Sequence, residues 1–183
     1  MEAQAIHIHQ DLIDRCRRGD REAYYQLYKL YSRSMYNVSY RIVNDQEEAE
    51  DVLQEAFISA FRNLGYYRGD STFGAWLKRI VINKAINYLH KRKAERISDD
   101  ERWDVPEEAE ENILDSFPFT VEQVRNAIER LPDGYRSVLS LYLLEGYDHA
   151  EIGEIMGITE STSKSQFNRA KKKLKDLLEE GIK

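Results

Sequence analysis

The stretch that decides the fold is DHAEIGEIMGITESTSKSQFNRAKKKLKDLL, residues 148–178. Its apolar residues recur at helical spacing on both sides of Gly157. Glycine suits a tight turn because it adopts a positive φ without steric cost. Ile158 can fill the core behind that turn, and Thr159 can cap the next helix. The spacing therefore predicts helix, turn and helix, with apolar positions at Ala150, Ile152, Ile155, Met156, Phe167, Ala170, Leu174, Leu177 and Leu178.

The second of these helices concentrates positive charge in an acidic chain. Positions 164–175 hold six basic residues and no acidic one, although the formal net charge of the chain is −6. Such a run can be a solvated helix face, because the helix dipole favours cations near the C-terminal end. It can also be the second helix of a helix-turn-helix, which lies in the major groove and reads base edges or holds phosphates. The whole pattern favours DNA binding, by Lys164, Ser165, Asn168, Arg169 and Lys172.

Helical spacing of apolar residues also runs through residues 24–42, 49–64 and 73–81. No segment shows a convincing two-residue period of a β-strand. Side chains that cap helices precede these runs and the later ones. The predicted caps are Asp20, Asp45 with Glu48, Ser71, Thr120 with Gln123, and Asp148 with Glu151. The sequence therefore predicts an all-α fold.

An acidic block separates the helical patterns into two groups. Residues 94–117 contain two basic and ten acidic side chains, are interrupted by Pro106 and lack a sustained apolar stripe. This composition is typical of a flexible, solvated linker. The expected organisation is two small helical domains, residues 1–93 and 118–183, joined by this linker.

Composition excludes several classes of protein. Cys16 is the only cysteine, so neither an intrachain disulfide nor a cysteine-based zinc site can form, and a reducing, cytoplasmic setting is expected. No secretory signal or membrane-spanning apolar run is present, so stable membrane insertion is not expected. The sequence contains no metal-ligand cluster, phosphate loop or nucleophile motif, which argues against an enzyme and against a cofactor. His7 and His9 are interpreted as a chance pair, and His90 and His149 have no evident partner.

Two further stretches have both structural and functional interpretations. Residues 45–64 form a helix with an acidic outer face, either solvated or a docking face for a basic partner. Residues 65–93 mix aromatic and basic side chains. The aromatics belong to a core by default, although some can stack on unpaired bases while the cations follow the phosphate backbone.

Taken together, the chain resembles a bacterial sigma factor of the extracytoplasmic-function group, in the sigma-70 family. The resemblance runs from Asp11 to Leu178 and is specific because four stretches occur in order across an acidic linker. They are DLIDRCRRGDREAYYQLYKLY, AEDVLQEAF, YRGDSTFGAWLKRIVIN and AIERLPDGYRSVLSLYLLEGYDHAEIGEIMGITESTSKSQFNRAKKKL. It implies that residues 1–93 are sigma region two, 94–117 the linker and 118–183 sigma region four.

The resemblance also implies partners and roles. The partners are the beta-prime clamp helices and beta flap of core RNA polymerase, promoter DNA and an anti-sigma factor. Polymerase docking is assigned to Asp51, Gln54 and Glu55. Recognition and opening of the minus-ten element are assigned to Tyr66, Tyr67, Arg68, Asp70, Ser71, Phe73, Lys78 and Asn83, whereas Trp76 is expected in the core. Recognition of the minus-thirty-five element is assigned to Lys164, Ser165, Gln166, Asn168, Arg169 and Lys172.

Three positions depart from the pattern of many relatives, which have Gly at Ser161, Val at Ser163 and Arg at Gln166. These departures leave the local packing and the promoter preference open. Two other classes of protein compete with the sigma-factor interpretation: a stand-alone helix-turn-helix regulator with a helical interaction domain, and a purely protein-binding helical module. For the linker, the resemblance offers a second role, in which its negative charge imitates a nucleic-acid strand inside the polymerase channel.

Overall fold

A computed structural model describes residues 8–95 and 119–181. The chain divides into two compact units, with the division between Arg92 and Lys93. Within the described ranges the regular elements are eight α-helices and one 3-10 turn, which confirms the all-α prediction. The predicted acidic linker lies outside the described residues, except for Ala94 and Glu95, which are the last residues of a helix.

The first unit is built from four helices around one apolar core. They are α1 (Gln10–Arg17), α2 (Arg21–Val43), α3 (Gln46–Arg62) and α4 (Phe73–Glu95), with the 3-10 turn at Leu64–Tyr66 before α4. Two residues join α2 to α3, and Asn44 closes α2 in the left-handed region at φ 57°. Such a short connection makes the two helices an antiparallel hairpin. Large core residues come from each of the four helices, for example Ile13, Leu27, Ile42, Phe57, Leu77 and Ile82.

The N-cap residues of the first unit follow the sequence with one exception, and the capping box predicted for Asp45 with Glu48 forms only in the bond that Asp45 accepts. Asp20 accepts hydrogen bonds from two backbone amides at the start of α2, and Asp45 accepts one from Glu48 at the start of α3. The carboxylate of Glu48 forms an ion pair with Arg92, which ties the start of α3 to the end of α4. The prediction that Ser71 caps α4 is wrong. The helix begins at Phe73, so Thr72 is the adjacent residue, and its Oγ1 accepts from the amide of Ala75 at 3.2 Å.

The second unit packs three helices against a long fourth one. They are α5 (Val121–Glu129), α6 (Asp133–Leu143), α7 (His149–Met156) and α8 (Glu160–Glu180). The two capping boxes predicted here form in full, from Thr120 with Gln123 and from Asp148 with Glu151. Its core contains Ala127, Leu131, Leu139, Ala170, Leu177 and Leu178, with Phe167 and Leu174 packed against them.

The turn between α7 and α8 has the predicted geometry. Gly157 ends α7 at φ 69°, and the amide of Ile158 donates to the carbonyl of Gly153 at 2.9 Å. Thr159 caps α8 by accepting from the amide of Thr162 at 3.0 Å. Ala150 is exposed rather than apolar core, because it lies on the outer side of the first turn of α7. Helix, tight turn and helix are thus confirmed.

Candidate functional site

The outer face of α3 carries the residues predicted to dock on the polymerase. Asp51, Gln54 and Glu55 are all exposed, and their i, i+3, i+4 spacing places them side by side on the helix surface. Val52, Leu53 and Ala56 on the opposite side are buried, so this face stands on a packed helix. The carboxylate of Glu55 lies 3.6 Å from Lys84 Nζ on α4, and its side chain remains 69% exposed.

The α3–α4 loop comprises residues 66–72, from the last residue of the 3-10 turn to the start of α4. Its side chains alternate between solvent and core. Tyr66 is 80% exposed, whereas Tyr67 beside it is only 3% exposed. The side chains of Arg68 and Asp70 are both more than four-fifths exposed. Gly69 between them turns the chain at φ 80°, a conformation that favours glycine. The loop therefore presents an aromatic ring and a cation to solvent over a buried tyrosine.

An aromatic cluster supports the loop from below. The ring of Tyr67 meets Phe73 edge-on at 5.7 Å and Trp76 at 5.3 Å. Its hydroxyl donates to the carbonyl of Ser71 at 2.7 Å, and this bond closes the loop across its base. Burial raises the pKa of the Tyr67 phenol, so the hydroxyl keeps the proton that it donates.

This packing corrects two assignments to the minus-ten element. Tyr67 and Phe73, with 3% and 1% exposure, have no free ring surface with which to contact DNA. Their role is to support the loop, because both rings are used in the cluster. Trp76, expected in the core, is half-buried against them. Arg68, Asp70, Ser71 and Tyr66 stay accessible, and so do Lys78, which is half-buried, and Asn83, which is exposed on α4.

The face of α8 that points away from the core carries most of the residues predicted to contact the minus-thirty-five element. At 100° per residue, Ser165, Asn168 and Lys172 lie opposite the buried Ala170. Asn168 and Lys172 are exposed, and Arg169 on the flank is half-buried. Lys164 is also exposed, and its Nζ lies 2.6 Å from the carboxylate of Glu160. The hydroxyl of Ser165 donates to the carbonyl of Ser161 one turn earlier.

Among the residues predicted to read the minus-thirty-five element, Gln166 is the one that is buried. It is 5% exposed and lies on the buried side of α8, one helical turn before Ala170. Among the residues described, its Oε1 atom has no hydrogen-bond partner. The prediction that Gln166 contacts DNA is corrected, because the side chain faces the packed interior of the unit.

His149 is a residue of this site that the sequence analysis missed. Its ring stacks on Tyr142 at 4.5 Å and meets Phe167 edge-on at 5.5 Å. Its Nδ1 lies 2.9 Å from the hydroxyl of Ser163, which is fully buried in the first turns of α8. The only sequence signal was Ser163, a polar residue where many relatives have Val. His149 therefore links α7 to the N-terminal part of α8.

Burial lowers the pKa of His149, and the nearby ammonium of Lys164 lowers it further. Glu160 and Asp148 act in the opposite direction and are smaller influences. The neutral imidazole is therefore favoured in the folded unit.

In the described parts of the chain, no three His, Cys, Asp or Glu side chains cluster closely enough to hold a metal ion, and no helix is long and apolar enough to cross a bilayer.

Comparison with known proteins identifies the class of protein to which this arrangement belongs. The family model of sigma-70 region 2 matches residues 27–95, and that of sigma-70 region 4 matches residues 121–174. The first match covers the acidic face and the α3–α4 loop, and the second covers the helix-turn-helix. A chain that carries these two regions in this order is a transcription initiation factor of RNA polymerase.

Relatives over nearly the full length support the same class. The chain is 37% identical to the RNA polymerase sigma-H factor of Pseudomonas aeruginosa, over 93% of either protein. It is 34% identical to the ECF RNA polymerase sigma-E factor of Escherichia coli, over 88% of this chain and 90% of that protein. A crystal structure of the sigma factor RpoE with the anti-sigma factor NepR from Bartonella quintana has the same fold, with a TM-score of 0.57, 21% identity and coverage of 84% of this chain and 95% of that one. This chain belongs to the extracytoplasmic-function sigma factors of the sigma-70 family.

Proposed function

We propose that this sigma factor acts through three separate surfaces: the acidic face of α3 docks on core polymerase, the α3–α4 loop captures an unpaired minus-ten base, and α8 reads the minus-thirty-five element. The observation that carries the proposal is that most of the side chains assigned to polymerase or DNA contacts are accessible to solvent. Fourteen of the seventeen assigned side chains are exposed or half-buried. The three buried ones are Tyr67, Phe73 and Gln166. The mechanism is recruitment and strand opening, without covalent chemistry, in the cytoplasm.

Docking is argued from the charge and rigidity of α3. Asp51, Gln54 and Glu55 stand on a helix whose other side is buried, so they need little ordering when a partner binds. Carboxylates at this spacing complement basic side chains on the polymerase clamp helices, and such complementarity favours fast, specific association. The clamp helices of the beta-prime subunit are the proposed partner of this face.

Strand opening is argued from the α3–α4 loop. Extruding a base from duplex DNA costs a few kcal/mol, which an aromatic surface and nearby cations can offset. Tyr66 supplies an exposed ring, and Arg68 supplies an exposed guanidinium two residues further on, which pairs with Asp70 at 3.6 Å in the free chain. Asn83 lies ten residues along α4 from Phe73, about 15 Å at the usual helical rise, so it would meet a different nucleotide.

Upstream recognition is argued from the outer face of α8. Asn168 and Lys172 are exposed opposite the core, with Ser165 on the same side. A recognition helix reads base edges with its N-terminal residues, and its later cations hold phosphates. Asn168 is the proposed base reader, and Lys172 is the proposed phosphate contact.

Two solved structures related by fold are complexes with a second protein, which in one of them is an anti-sigma factor. One is RpoE with the anti-sigma factor NepR, and the other is CnrH with the cytosolic domain of CnrY, at a TM-score of 0.54 and 23% identity over 92% of this chain and 95% of that one. We extend this partnership to the present chain. An anti-sigma factor would cover the polymerase- and DNA-binding surfaces until a signal releases it.

The experiment that tests docking is a pull-down with bacterial core RNA polymerase. Asp51→Lys combined with Glu55→Lys is expected to abolish binding, because it places cations against the basic clamp helices. The matched control is Asp176→Lys with Glu179→Lys, which makes the same change of charge at exposed positions near the end of α8.

Equal binding by the double reversal and the wild type would refute the docking assignment. If wild-type protein does not bind the core but binds DNA alone, the chain acts as a stand-alone helix-turn-helix regulator. Circular dichroism of each variant verifies that the helices remain folded.

A further inference from the structure

The α3–α4 loop is held by a side chain that belongs to neither flanking helix. Arg17 lies at the end of α1, fifty residues before the loop, and its Nη2 donates to the backbone carbonyl of Tyr67 at 2.5 Å. Its Nη1 donates to Asp14 Oδ1 at 3.0 Å. Helix α1 also packs against the 3-10 turn at Leu64–Tyr66. One guanidinium thus bridges α1 and the loop.

We propose that Arg17 is a positioning residue for strand capture: by fixing the carbonyl of Tyr67, it fixes the peptide that leads into Arg68, and with it the direction in which that guanidinium is presented to a nucleic-acid strand. This inference rests on the function proposed above for the loop. Arg17 itself touches no base in the proposal, and it acts through the peptide that joins Tyr67 to Arg68.

The bond from Arg17 acts between the two ends of the loop, where the other side-chain contact is an exposed ion pair of Arg68 with Asp70 at 3.6 Å. At the entry, the amides of Tyr66 and Tyr67 donate to the carbonyls of Asn63 and Leu64. At the exit, the Tyr67 hydroxyl donates to the carbonyl of Ser71. The Tyr67 carbonyl lies between these two anchors and immediately before the turn at Gly69. A rotation of the peptide between Tyr67 and Arg68 would change where Arg68 points, and Arg17 opposes that rotation.

An arginine suits this position because two acceptors must be held at once. The guanidinium presents several N–H donors in a rigid, planar fork, whereas the lysine ammonium is a single point charge on a flexible stem. The orientation of the fork is itself prepared, because Asp14 also accepts from Gln10 Nε2 at 2.9 Å. The side chain of Arg17 is 34% exposed, so these bonds are partly shielded from water.

The test compares Arg17→Ala with Arg18→Ala in holoenzyme reconstituted with bacterial core polymerase. Arg18 is the next residue, is exposed and loses the same charge. The probe is a duplex promoter selected from a randomised library by wild-type holoenzyme, with 2-aminopurine placed in its minus-ten element. Arg17→Ala is expected to slow opening about tenfold, as the loss of a charge-assisted hydrogen bond does. Arg18→Ala is expected to open the promoter as the wild type does, and Arg17→Lys to restore opening in part.

Core binding and upstream duplex binding are measured alongside, and the proposal requires that they do not change. Equal opening by Arg17→Ala and Arg18→Ala would overturn the inference. If Arg17→Ala fails to fold, Arg17→Lys decides the matter, since wild-type opening by that variant contradicts the need for the fork.

Hydrogen exchange separates this inference from the function on which it rests. If wild-type holoenzyme opens no selected promoter, the function proposed for the loop fails. The positioning of the loop by the bond from Arg17 to the Tyr67 carbonyl is still tested, because Arg17→Ala must then increase exchange at residues 68–71 relative to Arg18→Ala. No difference in exchange between the two variants would contradict the positioning role of Arg17 as well.

Discussion

Tyr66 and Tyr67 are adjacent tyrosines, yet their side chains lie in opposite environments. Tyr66 is 80% exposed, whereas Tyr67 is buried against Phe73. The sequence could not distinguish them, because a loop has neither the helical nor the strand period from which facing is inferred. Gln166 is different: it lies one helical turn before Ala170, so its burial could have been predicted from periodicity.

The exposed tyrosine gives a prediction at the scale of one residue. Tyr66→Ala is expected to weaken binding of a single-stranded minus-ten oligonucleotide to the holoenzyme by about tenfold or more, because base stacking on an aromatic ring contributes about 1–3 kcal/mol. Fluorescence anisotropy of the labelled oligonucleotide measures the loss.

Tyr25→Ala serves as the control for this variant. Tyr25 is 55% exposed and lies on α2, away from the loop in sequence. Neither substitution empties the core, so both variants should keep the thermal stability of the wild type. Matching oligonucleotide affinities for Tyr66→Ala and Tyr25→Ala would remove Tyr66 from strand capture.

Among the elements, α8 has to satisfy two environments at once. One side packs into the core through Ala170, Leu177 and Leu178, and the opposite side carries Asn168 and Lys172. The apolar period and the cap at Thr159 were sufficient to predict this helix. They could not reveal the bond between His149 and Ser163, because it joins two helices through polar side chains that follow no period.

That bond predicts a pH dependence of the second unit. The pKa of His149 is lowered by burial and then by Lys164, whereas an unfolded histidine titrates near about 6.5. Between these two pKa values the unfolded state binds more protons, so stability rises with pH through this window and falls as pH drops below about 6.5. Hydrogen exchange of α8, corrected for the intrinsic rate, should therefore show less protection at acidic than at neutral pH.

His149→Phe is expected to reduce this pH dependence, because it keeps an aromatic ring between Tyr142 and Phe167 but cannot titrate. His90→Gln, which replaces an exposed histidine of α4, is the control and should behave as the wild type does. Asp148, Glu160 and Lys164 surround the imidazole and remain in all variants. An unchanged pH profile in His149→Phe would assign the effect to another group.

Taken as a whole, the molecule is acidic but binds its proposed DNA through local positive charge. The net charge of −6 arises from the block at residues 94–117, and it says little about either helical unit. At about 0.1 M salt the Debye length is about 10 Å, so distant charges are largely screened and the charges near a phosphate decide its binding.

Salt dependence measures this local charge. Lys172→Ala is expected to lower the slope of log affinity against log salt by about 0.9 for holoenzyme on an upstream duplex, because one phosphate loses its cation. Lys173→Ala is the matched control, since Lys173 is exposed but lies about 100° further round the helix. Identical slopes for the two variants would show that Lys172 does not contact a phosphate.

The sequence predicts far more of the helices than of the surfaces they form. Periodicity and caps gave the all-α class and the turn at Gly157, because these follow from local rules. Ion pairs across helices, such as Glu48 with Arg92, depend on how α3 meets α4, and no local pattern encodes that. The start of α4 shows the limit for caps: Ser71 and Thr72 are chemically equivalent, and only the packing of Phe73 decides between them.

The ion pair between Glu55 and Lys84 joins the proposed docking face of α3 to α4. A basic partner that binds Glu55 competes with Lys84, and Lys84 is then left with its charge unneutralised on the helix that also carries Asn83. Under the proposed docking, polymerase binding and affinity for a nucleic-acid strand would be linked, and any linkage of this kind is reciprocal. A partly exposed pair contributes at most about 1 kcal/mol, so the linkage is a modest bias. Its direction is towards holding DNA more tightly in the assembled holoenzyme than in the free chain.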